Sequence, residues 1–303
     1  MLTRRLSLGA AFLAGAALSA LAQGGASKVE PKVRPAPDTV IPYRVVTNIA
    51  QSAEVMGMQQ ETKIERAEEF DCKVLSVEPD GSVKLEVKYG AIRGKMDVTG
   101  MGEFAFDSTK SDDGSANAMF GPALKNLIDK AGKTFQITVN PQGVVVAGDA
   151  QAVGRNPAFL LPLPKGAVEV GGSWEAVRER PMGKTKAVAR GKCTLARVEG
   201  GVAELSFSGD LGEESPAPEK KDEAKKEDDA GMGGDAPRVS APKGTLKTTM
   251  KLDLATGMAA ESTEEADLKV TMEQGGQSVD LTIKATAKLE RRKPEAPKPE
   301  EKK

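Results

Sequence analysis

The sequence predicts a mainly β protein, a β-rich α+β fold built as a large curved antiparallel sheet or open half-barrel with one inserted helix. Three observations predict it. Apolar and polar residues alternate over long stretches, Pro/Gly/Asp clusters separate those stretches, and only one segment carries clear helical spacing. Aromatic residues make up only 4% of the chain, so the core must be built mainly from Val, Leu, Ile, Ala and Met.

Residues 1–22 read as an export signal. Met1–Arg5 is a basic start, Leu6–Ala22 is apolar with small residues throughout, and Ala20-Leu21-Ala22 supplies the small-x-small pattern for cleavage between Ala22 and Gln23. Thr3-Arg4-Arg5-Leu6-Ser7-Leu8 fits an ordinary secretory signal and also partly fits a twin-arginine signal. The residue at the cleavage point is Gln23 and not cysteine, so no lipoprotein acylation site is expected, and no second apolar run approaches the ~20 residues a membrane helix needs. The expected location is outside the cytoplasm, periplasmic or extracellular and soluble, with no transmembrane segment in the mature chain.

Gln23–Asp38 is rich in Pro, Gly and charge and is expected to be a disordered lead-in. One β-rich domain follows over residues 39–290, beginning near Val40-Ile41-Pro42-Tyr43. Val83, Leu85, Val87 and Tyr89 alternate with Lys84, Glu86 and Lys88, the period of a strand with one wet face. Cys72–Glu78 supplies its partner through the turn Pro79-Asp80-Gly81-Ser82. A second hairpin joins Phe135–Val139 to Val144–Ala147 through Asn140-Pro141-Gln142-Gly143, which fits a type I turn. Further strands are expected at Ser173–Arg180, Thr185–Val198, Val202–Leu211, Leu246–Leu254, Ala259–Met272 and Ser278–Leu289.

The inserted helix is expected where Phe120, Leu124, Leu127, Ile128 and Ala131 recur at helical spacing, with Pro122 near its start and Gly132 ending it. Ala150–Phe159 reads as a second, short helix. Residues 212–243 are Lys/Glu/Asp/Pro/Gly-rich with almost nothing to bury, and are expected to be a disordered loop interrupting the domain. Arg291–Lys303 reads as a disordered tail. The segment from Cys72 to Leu85 echoes that from Cys193 to Leu205. Either two halves repeat or the likeness is that of any two hairpins.

The ionisable residues exclude more than they propose. There is no histidine, which removes Ser-His and Cys-His nucleophilic pairs, histidine–zinc sites and imidazole acid–base chemistry. The balance of 43 Lys and Arg against 44 Asp and Glu gives no electrostatic case for nucleic acid. Cys72 and Cys193 are the only cysteines, and either form a disulfide or lie as two separate buried thiols. Residues Asp107–Gly114 are oxygen-rich, but Lys110 and Ala118 break a calcium-loop pattern, which leaves a solvated loop. Met56 and Met58 share one face of a strand; core or pocket lining suits them better than soft-metal binding. Glu68/Glu69 and Glu264/Glu265 are adjacent pairs, so their side chains point to opposite faces and do not cooperate. Trp174 is expected to anchor the start of a strand. No catalytic residue, metal site or cofactor is assigned.

Met56-Gly57-Met58-Gln59-Gln60, Gly102–Ser108, Lys133-Thr134-Phe135, Pro141-Gln142-Gly143, Leu160-Leu161-Pro162, Val170–Trp174 and Thr256-Gly257 together resemble an uncharacterised family of exported bacterial proteins. These are turn and strand markers spread over nearly the whole mature chain, and the resemblance implies no site residues. The pattern of long strands with an inserted helix also resembles the open half-barrels of periplasmic lipoprotein and lipid carriers. The favoured expectation is an exported non-enzymatic protein that holds an apolar or lipid-like ligand on a concave sheet face. The alternative is a structural or protein-interaction component of the cell envelope with no small ligand.

Overall fold

The alternating segments pair into one antiparallel sheet of 13 strands in the computed structural model. It describes residues 28–55, 57–110, 125, 128–149, 153, 157–182, 185–213, 238–240, 242–274 and 277–293. The strands are β1 (Val40–Val55), β2 (Met58–Val77), β3 (Val83–Val98), β4 (Gly102–Asp107), β5 (Thr134–Val139), β6 (Val145–Gly148), β7 (Ser173–Met182), β8 (Thr185–Glu199), β9 (Val202–Glu213), β10 (Arg238–Val239), β11 (Lys243–Asp253), β12 (Met258–Gln274) and β13 (Gln277–Arg291).

The sheet path runs β6-β5-β3-β2-β1-β13-β12-β11-β9-β8-β7, with β4 paired to β3 and β10 to β12. The first and last long strands therefore meet in the middle, with Tyr43 opposite Arg291 and Ala53 opposite Leu281. β6 and β7 are consecutive in the chain but lie at opposite ends of the path. Their connection must cross the sheet, and it does so over the face that carries Tyr43, Phe70 and Leu85. Phe159, Leu160, Leu161 and Leu163 of this strap are each buried to 4% exposure or less. The strap docks through backbone bonds from Leu163 N–H to the Gln142 carbonyl and from Ala259 N–H to the Phe159 carbonyl. Phe159 stacks on Tyr43 at 5.7 Å and tilts against Phe70 at the same separation. Such aromatic contacts give a core poor in aromatics its densest packing.

The sheet also folds over on this inner face. Arg178 of β7 bonds Thr248 of β11 and Glu264 of β12. β7 and β12 are four strand spacings apart along the sheet, roughly 19 Å if it were flat, which is beyond the reach of a side chain. Gly191 and Gly209 face one another across β8 and β9 near this bend. A Cβ on Gly209 would sit 2.7 Å from the Phe207 ring, so the glycine gives that ring its seat. The Phe207 ring in turn lies under the Arg178 guanidinium, 5.7 Å from its centroid.

Several expectations are corrected. Residues 28–38, the described part of the expected disordered lead-in, are laid onto the fold. Val29 bridges Val168, Val33 N–H donates to Pro141, Arg34 N–H donates to Thr256, and Val33 is 2% exposed. The segment has little apolar area, but loops supply partners for its backbone. Gly257 (φ +67°) makes this possible, since a Cβ there would overlap the Lys32 carbonyl. The ends of the expected 212–243 loop are strand: β9 runs to Glu213, β10 pairs with β12 and β11 starts at Lys243. The expected tail begins later than Arg291, because that residue closes β13 and the Arg292 guanidinium pairs with Glu69 and Asp71. Residues 1–27, with the signal and the Ala22–Gln23 cleavage point, lie outside the described residues, as do 214–237 and 294–303.

Most of the expected helix also lies outside them. Within it Lys125 and Ile128 are helical, and Ile128 is buried against Ile92, Met96, Val98 and Phe106. Of the second expected helix only Val153 has helical conformation among the described residues, while Pro157–Phe159 belong to the strap. The two echoing segments form hairpins β2–β3 and β8–β9. In each the ladder shifts register between the second and fourth residue after the cysteine, at Val74/Ser76 and at Leu195/Arg197. Beyond the hairpins the surroundings differ, since β3 continues to β5 and β4, and β9 to β11.

Candidate functional site

The inner face is filled under the strap and hollow beside it. The cause is side-chain size. Where β12 and β13 cross the middle of the sheet, their inward positions are Ala266, Ala285 and Ala287, with Ala266 directly opposite Ala285. Leu268 and Ile283 on these same strands, and Val45, Ile49 and Leu246 on the neighbouring ones, are larger, so the alanines leave a gap. The resulting hollow is partly open to solvent, has a volume of about 420 Å³ and is flanked by Val153 and Pro157–Phe159 of the strap. That volume falls within the range of small-molecule sites. A larger hollow of about 550 Å³ lies on the opposite face among Lys63, Glu65, Lys247, Glu265 and Lys284. These charged side chains are all exposed, so it is a groove of the solvated surface.

Among the described residues, three charged side chains reach the inner cavity: Arg66, Glu68 and Glu264. Arg66 Nε lies 2.6 Å from Glu68 Oε1, an ion pair off the ideal hydrogen-bond direction, between residues two apart on β2. Glu264 is held from behind. Arg178 Nη1 donates to Glu264 Oε2 at 2.8 Å and to Thr248 Oγ1 at 2.6 Å. Arg178 is fully buried, and its Nε and Nη2 have no hydrogen-bond partner among the described residues. Burial pulls the Arg178 guanidinium down to about 10, so it remains a cation at neutral pH.

Phe70 and Tyr89 complete the lining, and Tyr43 packs against Phe70 with ring centroids 5.4 Å apart. Tyr43 Oη donates to the Ala259 carbonyl at 2.9 Å. Burial holds both phenols well above their ordinary value, so they act as neutral groups. Tyr89 lies edge-on to Phe135 at 5.8 Å.

The residues singled out in the sequence are placed as follows. Cys72 of β2 and Cys193 of β8 are both free, fully buried thiols. Burial pushes the Cys72 thiol well up, and pushes Cys193 to about 12 against the opposing pull of Arg178. Trp174 is part of the core wall, and its Nε1–H donates to the Pro162 carbonyl at 3.0 Å, which ties β7 to the strap. Met58 is exposed at the tip of the β1–β2 hairpin, not in the core or a pocket, because that hairpin projects past the packed region. Met56 lies outside the described residues. Asp107 caps its own turn by accepting from Thr109 N–H and Oγ1–H, and residues 111–114 of the oxygen-rich run are outside the described residues. Glu264 is buried and Glu265 exposed, as alternation requires.

Sequence reasoning missed Arg178, Thr248 and the strap. The signal for Arg178 was present. Trp174, Ala176 and Arg178 share one strand parity, opposite to Glu175, Val177 and Glu179, so an arginine stands in an apolar row. Among the described residues no group of three or more His, Cys, Asp or Glu is arranged to hold a metal, and no helix is long and apolar enough to cross a membrane.

No protein-family model and no curated protein matches the sequence. Among solved structures, 87% of this chain is similar to part of a chain described under lipid–protein interactions in lipovitellin, at 9% identity and a TM-score of 0.49. This chain spans about a quarter of that one, 26% of its length. It is also similar to DynF from the dynemicin biosynthesis pathway of Micromonospora chersina, at 8% identity over 89% of this chain and 88% of that one, with a TM-score of 0.25. A third is OpdK of Pseudomonas aeruginosa with vanillate, at 7% identity over 84% and 99% of the two chains and a TM-score of 0.14. At these scores the likenesses say nothing about ligand or activity.

Proposed function

We propose that this chain is an exported, non-enzymatic carrier that holds an apolar, lipid-like ligand in the hollow of its inner sheet face. The observation that carries this reading is the apolar cavity of about 420 Å³ that stays open after the strap has packed. A protein whose inner face served only its own stability would fill that space, since close packing is the norm in protein interiors. The row of Ala266, Ala285 and Ala287 keeps it empty. A non-enzymatic role is favoured because the carboxylates that reach the cavity, Glu68 and Glu264, are each engaged by an arginine. Neither is poised as a free acid or base.

Native mass spectrometry of the purified protein, followed by organic extraction, tests the reading. A bound lipid-like mass that disappears on extraction is the expected result. An unliganded mass, together with failure to take up a hydrophobic dye, would overturn it and leave the structural or protein-interaction role in the envelope.

A further inference from the structure

We infer that the end of the sheet bearing the β1–β2 and β3–β4 turns docks on a membrane surface of zwitterionic lipid through Met58 and Met101, and that a ligand passes between bilayer and hollow at that end. This rests on the carrier reading proposed above and adds the place where cargo is exchanged.

Tight turns are ordinarily built from Gly, Asn, Asp, Ser and Pro. Here glycines meet the backbone's need: Gly57, Gly100 and Gly102 have φ of +76°, +80° and +93°, and a Cβ on any of them would meet nothing within 4 Å. The tips therefore stand clear of the fold, and the methionines beside these glycines serve neither the turn nor the core. Among the described residues Met58 is the most exposed large apolar side chain, at 63%, and Met101 is exposed to 49%. The two hairpins are joined close to their tips. Thr99 N–H donates to the Glu61 carbonyl at 3.0 Å, and Glu61 N–H donates to Thr99 Oγ1 at 3.3 Å. Two flexible thioether chains on neighbouring clear tips suit insertion into the headgroup boundary of a bilayer. Every charged residue within four positions of either methionine is an acid: Glu54, Glu61, Asp97 and Glu103. The next cations, Lys63 and Lys95, pair with Glu61 and Glu103. An anionic lipid surface is therefore disfavoured and a zwitterionic one preferred.

The inner face leads from the hollow to this same end. Leu268 and Ile283 line the hollow and pair across β12 and β13. Val270 with Leu281, then Met272 with Val279, continue the apolar row outward. All of these but Val270 are half-buried rather than sealed. From Ala266 to Met272 the row runs about 20 Å at roughly 3.4 Å per residue. Ala53 lies opposite Leu281 and Val55 opposite Met58, so the row ends at the edge where β1 turns into β2. A hydrocarbon chain thus has an apolar path between the hollow and the exposed methionines.

The test uses the purified protein, with removal of residues 1–22 checked by intact mass. Its flotation with phosphatidylcholine vesicles gives the membrane affinity. Release of a preloaded pyrene-labelled long-chain alcohol to the same vesicles gives the transfer rate. The double variant Met58→Ser with Met101→Ser is expected to lower vesicle affinity and transfer rate at least about tenfold, while uptake of the probe in vesicle-free buffer stays unchanged. Met58→Leu with Met101→Leu keeps the apolar surface and should preserve both. Vesicle affinity that the serine variant leaves unchanged, or binding that appears only when phosphatidylglycerol is added, would overturn the docking inference, while probe uptake leaves the carrier reading standing. A transfer rate untouched by the serine variant would overturn exchange at this end. Failure of the unaltered protein to take up the probe in buffer would overturn the carrier reading and the exchange route with it.

Discussion

Arg178 Nη1 sits 2.8 Å from Glu264 Oε2, joining β7 at the edge of the sheet to β12 near its middle. The pair holds the folded-over end of the sheet beside the cavity, which Glu264 lines. It is an expensive clasp, because Arg178 keeps two nitrogens without partners among the described residues in a fully buried position.

Removing one member should therefore cost more than removing both. Arg178→Ala strands the Glu264 carboxylate and is expected to destabilise the fold by roughly 3–5 kcal/mol. The combined change Arg178→Met with Glu264→Leu replaces the clasp by apolar contact. It should recover most of that loss, because buried ion pairs are often matched by well-packed apolar groups. Urea midpoints of Arg178→Met, Glu264→Leu and the double variant check this. A double variant as unstable as the sum of the two singles would show that the two side chains do not act as a pair.

The two cysteines should be silent until the protein unfolds. Burial keeps Cys72 and Cys193 in the thiol form, and the thiolate is the reactive species. A thiol reagent at pH 8 is expected to label neither in the native protein and both in denaturant without reductant. No labelling in denaturant would reveal a disulfide instead.

Acid should loosen the turn between β11 and β12 before it reaches the core. Burial pushes the Asp253 carboxyl up, but bonds from Ala255 N–H, Arg291 and Thr256 outweigh it and hold the group below its ordinary value. A carboxylate depressed in the folded state contributes stability that is present above its unfolded pKa of about 3.9 and lost as pH falls through the lower folded value. Asp253→Asn should therefore lower the urea midpoint at pH 7, and the gap to the unaltered protein should close at the acid end. A gap that persists at the lowest pH would show that Asp253 acts through packing rather than charge.

Strand positions were legible because alternation is a local signal. Val83–Tyr89 reads as a strand in seven residues, and β7 to β9 and β11 to β13 begin and end close to where the sequence places them, whereas the short β10 falls inside the expected loop. Legibility failed where burial depends on distant chain. The first half of β2, from Met58 to Ala67, is largely polar on both faces because its hairpin projects beyond the core, so no alternation announces it. The strap at Pro157–Pro164 has neither helical nor strand period. It is buried because β6 and β7 end on opposite edges, a fact of topology that no local pattern contains. Residues 28–38 look like a linker by composition and become fixed through backbone bonds to loops far along the chain. The site shared this fate: Glu264 was noticed for its neighbour Glu265, whereas its real partner, Arg178, lies 86 residues away.

The cavity owes its existence to small inward side chains, so enlarging one should abolish uptake without harming the fold. Ala285 is the residue to change. It lies in the sheet between Ile49 and Ala266 and lines the cavity with both. Ala285→Leu places three more carbons in empty space, and burying them should leave stability unchanged or raised by about 1–2 kcal/mol. Binding of a hydrophobic dye should fall at least about tenfold. If the cavity is instead closed by packing in solution, the same substitution overfills a dense core and should cost about 1–3 kcal/mol. The sign of the stability change, read beside dye uptake, thus separates a carrier with an open hollow from a sheet whose inner face only packs against itself.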